Sequence, residues 1–275
     1  MRTIATVCTL LLVAKGAVAG EDAVLDIEGE TFITKTAAPA HMENVDTIFS
    51  GWVFRTDETQ ALQLDDFDNP AFVFVDQALD QWDTAEGSAG KACSSCHEDV
   101  SEFEGLKAKL PRVENGELVT LTNLVNTCVT ERMGAEEWSY SGSKMSGMTA
   151  LIAHQSRGMA MDVKIDGDAA PHWELGKEIY YTRVGQLQMA CANCHEDNYG
   201  NMIRADHLSQ GQINGFPLYR LKNAKINTTH GRFKGCMKNI RATPYKEGSA
   251  EFKALELYVA SRGNGLSVET PAVRN

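Results

Sequence analysis

The 275-residue sequence contains no apolar run long enough to cross a bilayer. A membrane-spanning helix needs about 18 to 20 mostly apolar residues, and the best candidate, Ile4 to Val13, is shorter. The chain is therefore read as soluble once processed. It is also short of positive charge. Lys and Arg number 26 against 37 Asp and Glu, a formal net charge of −11. That balance argues against general nucleic-acid binding. One stretch lacks the opposite sign: from His207 to Lys246 there is no Asp or Glu. Spare thiols are scarce too. Of seven cysteines, four fall in two short motifs and one in the first ten residues, which leaves Cys128 and Cys236. The hydrophobic share, 43%, is ordinary for a globular chain and can fill one or two domains.

Residues 1–19 read as a secretory signal. Met1-Arg2 is a short basic start, Ile4 to Val13 is mostly apolar, and Ala17-Val18-Ala19 offers an A-x-A cleavage site. The mature chain is expected to begin near Gly20, in the periplasm, and Cys8 leaves with the signal.

Two copies of one motif follow. Cys93-Ser94-Ser95-Cys96-His97 and Cys191-Ala192-Asn193-Cys194-His195 lie 98 residues apart. C-x-x-C-H is the attachment sequence of a c-type haem: two thiols add to the porphyrin vinyl groups and the next residue ligates the iron. Half a zinc site or a thiol redox pair is the other meaning of this spacing. A second copy in an exported chain favours haem. Two covalently bound haem c groups are expected, on Cys93 and Cys96 and on Cys191 and Cys194, with His97 and His195 as ligands.

The rest of the chain repeats around these motifs. Residues 20–69 read as an irregular N-terminal extension, acidic and turn-rich towards its end. Asn69 and Pro70 suit the start of a helix over 71–82, whose Phe74, Ala78 and Trp82 form one helical stripe. Gly87 and Gly90 break the pattern before Cys93. Trp173 to Met189 reads as the matching helix. After the lone cysteines, the segments 149–158 and 253–263 match with one gap, and each ends in glycine. Each half thus runs helix, C-x-x-C-H, loop, lone cysteine, loop, helix. The fold expected is mainly α, with two cytochrome c-like domains related by an internal repeat, over 70–165 and 166–275. The boundary falls in the linker-like run Asp166-Gly167-Asp168-Ala169-Ala170-Pro171.

An exported protein ordinarily pairs two spare thiols as a disulfide. Methionine is the other common sixth ligand of a small c-type haem. Met133, Met145, Met148, Met159 and Met161 are available in the first half, Met202 and Met237 in the second. Methionines in helical stripes are more often core. Cys128 follows His97 by 31 residues and Cys236 follows His195 by 41, one spare thiol per half. A disulfide would have to join equivalent places in two domains. Thiolate ligation of each iron accounts for the duplication better, and it favours Fe(III), so both potentials should be low.

The acid-free stretch surrounds Cys236. It carries Arg220, Lys222, Lys225, Arg232, Lys234, Lys238, Arg241 and Lys246. A charge run is usually a solvated face, and some of these lysines can pair with haem propionates. Arg232, however, stands four residues before Cys236, within reach of the sulfur across one helical turn. Its planar fork suits a bidentate oxyanion, and surrounding cations draw anions in. The matching position before Cys128 is Leu124. The second haem is thus read as the reactive site, the first as an electron store or a structural relic.

With these residues in place, the sequence resembles the SoxA family, haem subunits of the SoxAX cytochromes of bacterial thiosulfate-oxidising Sox systems. The resemblance covers nearly the whole mature chain. It includes Ser50-Gly51-Trp52, the run Glu58 to Pro70, both haem motifs, both lone cysteines and Arg232-Phe233-Lys234-Gly235-Cys236. It implies a dihaem form and an enzyme, L-cysteine S-thiosulfotransferase, which joins thiosulfate oxidatively to a cysteine of a SoxYZ carrier. By resemblance, Cys236 is both haem ligand and reactive sulfur, open to being carried as a persulfide. Arg232 would bind the oxyanion or the sulfur adduct. A monohaem SoxX-like subunit would form the heterodimer and take electrons onward. Two rivals remain. A plain dihaem electron carrier needs no Arg232 and favours Met ligands. A dihaem peroxidase needs an iron with a releasable sixth position.

Overall fold

The computed structural model describes residues 24–275, so the secretory signal and the expected new N-terminus near Gly20 lie outside the described residues. Among the described residues no helix is long and apolar enough to cross a membrane.

Residues 24–69 are more ordered than their weak periodicity predicts. Strands β1 (Asp26–Ile27) and β2 (Glu30–Thr31) form one antiparallel hairpin, β3 (Lys35–Ala37) and β4 (Thr47–Phe49) a second, and helix α1 (Asp57–Ala61) follows. These strands are two or three residues long, too short to leave an alternating pattern. Leu25, Phe32, Trp52 and Phe54 anchor a small core of the segment's own. The segment then binds the second half of the chain. Phe49 N–H donates to Gln210 Oε1 at 2.8 Å, Asn44 Nδ2 donates to Glu196 Oε2 at 3.2 Å, and Arg55 pairs with Asp206.

The first repeat opens with α2 (Phe72–Trp82). Of the predicted stripe, Ala78 and Trp82 are buried and Phe74 partly so, and Val75, outside it, is buried with them. Pro70 does not sit in its first turn. Nor does Asn69 cap the helix: the N-cap is Ala71, with no side-chain cap bond, and Asn69 Oδ1 accepts from Ala71 N–H at 3.0 Å in the turn ahead of it while Asn69 Nδ2 donates to Pro271 O at 2.9 Å, tying that turn to the far C-terminal segment. Next come a 3₁₀ turn over Cys93–Ser95 and the hairpin of β5 (Arg112–Glu114) with β6 (Glu117–Val119). Helix α3 (Leu121–Thr127) continues as a π turn over Cys128–Arg132, and α4 (Ser143–His154) closes the repeat.

The second repeat has α5 (Ala170–Tyr181), the short α6 (Cys191–His195), and the hairpin of β7 (Met202–Ile203) with β8 (Asp206–His207). It continues with β9 (Leu218–Arg220), β10 (Lys225–Asn227), α7 (Thr229–Asn239), α8 (Ala250–Ser261) and β11 (Ala272–Arg274), which pairs in parallel with β9. Two expectations shift here. The run 166–171 is a 3₁₀ turn over Gly167–Ala169 and then the first turn of α5, with Pro171 suited to that place. And α5 stops at Tyr181 rather than Met189. Thr182 is extended, and Val184 pairs with Met189 across a tight turn.

In each half the first and last helices pack together, α2 on α4 and α5 on α8. The halves also exchange pieces. Hairpin strand β6 of the first packs on α8, and β10 of the second packs on α4. Ala108 and Leu118 accordingly belong to the core of the second half, and Ile226 to that of the first.

Candidate haem centres

In each half, the turn before the C-x-x-C-H motif is pinned to the chain just after the lone cysteine. Ser88 N–H donates to Gly134 O at 3.1 Å and Ala89 N–H to Met133 O at 3.0 Å. In the second half Leu187 N–H donates to Ile240 O at 3.3 Å and Gln186 N–H to Arg241 O at 3.4 Å. The approach is close enough to need glycine. Gly87 (φ +69°) and Gly185 (φ +72°) occupy the same place in the two repeats, and a Cβ would overlap the Met133 carbonyl in one and the Ile240 carbonyl in the other.

This pinning sets each lone thiol against its own motif. Burial, followed by the charge of Cys128, pushes the Cys93 thiol up to about 11. Burial, followed by the charge of Cys236, pushes Cys191 up to about 12 and raises Cys194 as well. Cys128 is itself raised, chiefly by burial and then by Cys96. All six described cysteines are free, so no Cys128–Cys236 disulfide is formed. Four of the methionines fill core: Met133, Met145 and Met148 that of the first half, and Met161, also from the first half, that of the second.

The two histidines are held differently. His195 is half-buried on α6, and its Nδ1–H donates to the Ser209 carbonyl at 2.7 Å. A carbonyl only accepts, so Nδ1 carries the proton and Nε2 is left as a metal ligand. Burial pulls its pKa down to about 4, which keeps the ring neutral. Gly211 (φ +84°) lies flat against the ring, and a Cβ there would stand 2.9 Å from His195 Cγ. His97 is more exposed. Its Nδ1 lies 3.2 Å from Glu102 Oε2, and its ring sits 4.8 Å from Phe103 and 6.1 Å from Trp82.

Helix α7 builds the flank of the second centre. Thr228 caps it, its Oγ1 accepting from Gly231 N–H at 3.2 Å. His230 is buried with Nε2 3.0 Å from Glu256 Oε2 on α8. Arg232 and Cys236 then stand one turn apart on the same face. Among the described residues, the Arg232 guanidinium has no hydrogen bond or ion pair. Its charge is felt at His195, Arg55 and Arg220. Arg55 is buried and committed, through Asp206, the Gly51 carbonyl and the His207 carbonyl. Burial lowers it to about 10. Arg220 uses Nε on the Asn275 carbonyl at 2.8 Å, and burial lowers its pKa too.

The acid-free run therefore divides. Lys222, Lys225, Lys238, Arg241 and Lys246 are exposed, as a solvated face would be, whereas Arg220 and Arg232 are half-buried beside Cys236. In the first half, Leu124 packs against the core at the place matching Arg232. Arg132 does lie near Cys128, with Glu131 opposing it. Sequence reasoning missed Arg55, Glu102, Ser209 and Gly211. The contact from His195 to Ser209 is made by a backbone carbonyl, which has no side-chain signature.

The donor set fits covalent haem in both halves: two thiols, one imidazole with its Nδ1 hydrogen-bonded, and a third thiol brought across from them. Zinc fits less well, since no three or more His, Cys, Asp or Glu among the described residues group into a cage for a metal ion. A pair of such sites on paired helices defines a c-type cytochrome with two cytochrome c domains. The family model for the SoxA/TsdA cytochrome c domain matches residues 77–161 and 175–268. The L-cysteine S-thiosulfotransferase subunit SoxA of Paracoccus pantotrophus is 61% identical over 246 residues, 88% of this chain and 85% of that protein. Its counterpart from Rhodovulum sulfidophilum is 56% identical over 262 residues, 94% and 91% of the two chains. The crystal structure of SoxXA from P. pantotrophus matches with a TM-score of 0.89 at 58% identity, covering 92% of this chain and 97% of that one. The chain belongs to the SoxA family of L-cysteine S-thiosulfotransferase subunits.

Proposed function

We propose that the chain is the dihaem cytochrome subunit of a periplasmic enzyme that couples thiosulfate oxidatively to a cysteine of a SoxYZ-like carrier. Cys93 and Cys96 would hold the first haem, with His97 and Cys128 as the iron's protein ligands. Cys191 and Cys194 would hold the second, with His195 and Cys236. When bound, the haem supplies a one-electron redox centre of low potential, because thiolate favours Fe(III).

The chain's own residues supply the rest. Arg232 offers a free guanidinium fork to the oxyanion end of thiosulfate, one turn from the Cys236 sulfur. Arg220, which pairs with no carboxylate side chain among the described residues, raises the local positive potential and draws the dianion in. His195, oriented by the Ser209 carbonyl, would offer Nε2 to the iron. In the net reaction the carrier thiol loses its proton, a sulfur–sulfur bond forms to thiosulfate, and two electrons leave. Those electrons pass to a SoxX-like monohaem subunit, in keeping with the heteromeric SoxXA of P. pantotrophus.

One observation carries this reading. Both halves bring a lone thiol to a haem motif, but only the second places an unpaired arginine one turn ahead of it. A plain electron carrier has no use for that arginine. The test is to purify the exported protein with its partner subunit, weigh it, and assay cytochrome c reduction with thiosulfate and the carrier. Two haems, a mass lacking about 19 residues, and thiosulfate-dependent reduction are expected. Reduction indifferent to thiosulfate would assign an electron carrier instead.

A further inference from the structure

Each proximal histidine has its Nδ1 hydrogen-bonded, but the partners differ in charge. His195 donates to a neutral backbone carbonyl, Ser209 O, at 2.7 Å. His97 faces a carboxylate, Glu102 Oε2, at 3.2 Å. Glu102 is fixed for this. Its other oxygen, Oε1, accepts from Glu98 N–H at 2.7 Å and Asp99 N–H at 3.3 Å. It rides a 3₁₀ turn over Val100–Phe103 that Asp99 caps, taking Ser101 N–H at 2.8 Å. Phe103, the next residue, packs on the same imidazole. One short turn thus both orients the ring and sets a full negative charge against its outer nitrogen.

A carboxylate on the Nδ1–H of a ligating histidine raises the basicity of the ligating nitrogen. A more basic axial ligand stabilises Fe(III) over Fe(II), and hydrogen bonding outside the iron's own ligands is one of the levers on haem potential. The surroundings act in the same direction. Glu-Asp follows both histidines, but the first motif adds Glu102 and Glu104, whereas at His195 the charges of Arg232 and Arg262 stand against that of Glu196. We propose that Glu102 is a positioning residue that makes the first haem the harder of the two to reduce, so that it stays ferric while the second exchanges electrons. This rests on the reading that both motifs carry haem with thiolate opposite histidine.

Glu102→Gln isolates the charge. Glutamine keeps an oxygen for the Glu98 and Asp99 amides, so the turn survives while the carboxylate on His97 is lost. The step measured is a one-electron reduction, Fe(III) to Fe(II), with dithionite as the donor. The full chain with its partner subunit is titrated and followed by electron paramagnetic resonance, with Cys128→Ala marking which ferric signal belongs to the first haem. The midpoint of the first haem should lie below that of the second in the unaltered protein. It should shift upward in Glu102→Gln and less in Glu102→Asp, with the second haem unmoved. Two attached haems with an unmoved first midpoint would overturn the role of Glu102 and leave the dihaem reading standing. A mass showing a single haem in the unaltered protein would overturn the dihaem reading, and the role of Glu102 with it.

Discussion

On the proposed function, Arg232 is the side chain that separates binding from haem attachment. It is half-buried, free of any ion pair among the described residues, and one turn from Cys236, yet it takes no part in holding either motif. Arg232→Ala should therefore keep both haems while losing a charge-assisted contact to the substrate. That contact is worth about 1.5–3 kcal/mol, or roughly ten- to a hundredfold in kcat/KM. Steady-state kinetics in thiosulfate, with haem content measured alongside, checks this. A variant with normal kcat/KM would remove Arg232 from the site. This arginine was readable in the sequence because a spacing of four matches a helical turn, and because acid was missing for forty residues around it, from His207 to Lys246. Glu102 was less readable. A glutamate in an acidic stretch looks like any solvated carboxylate until a 3₁₀ turn folds it back on His97. Ser209 was unreadable, since its contribution is a carbonyl that any residue carries.

At the scale of elements, the turn ahead of each motif is bonded to the chain just after the lone cysteine proposed as the second ligand. Residues 184–189 form a tight turn whose amides bond to the carbonyls of Ile240 and Arg241, four and five residues beyond Cys236. Gly185 permits the contact, both by its positive φ and by lacking a Cβ. Gly185→Ala should push the end of α7 away, at a cost on the order of 1–3 kcal/mol. The haem would stay attached through Cys191 and Cys194, but the low-spin signal expected of histidine and thiolate ligation should weaken at the second centre. Electron paramagnetic resonance of the oxidised variant reads it, and an unchanged signal would show that the turn does not set the ligand. The same turn explains the overlong helix expected over 173–189. Its apolar residues continue past Tyr181, but Val184 and Met189 face each other across a turn rather than along a helix. Helix α2 was legible almost to the residue because its stripe is packed on one face. The N-terminal hairpins were not legible, since strands of two or three residues have no period to detect.

At the scale of the whole molecule, the repeat was visible from its motifs, but the coupling between repeats was not. Each half places a hairpin strand against the other's last helix, and the N-terminal segment ties itself to the second half through Gln210, Asp206 and Glu196. Contacts between residues 150 or more positions apart leave no local pattern in a sequence. The duplicated architecture also sharpens the central claim. Two sites share one plan of ligands, and the account assigns sulfur chemistry to one of them alone. Cys236 has Arg232 one turn ahead of it and Arg220 close by. Cys128 has Leu124 in the matching place, and there Arg132 and Glu131 oppose each other. The most direct test compares Cys236→Ala with Cys128→Ala in thiosulfate-dependent cytochrome c reduction, with carrier and partner subunit present. The account predicts that Cys236→Ala abolishes turnover, whereas Cys128→Ala alters the first haem's spectrum and potential and leaves turnover largely intact. Loss of turnover in Cys128→Ala with near-normal turnover in Cys236→Ala would place the active site at the first haem and contradict it.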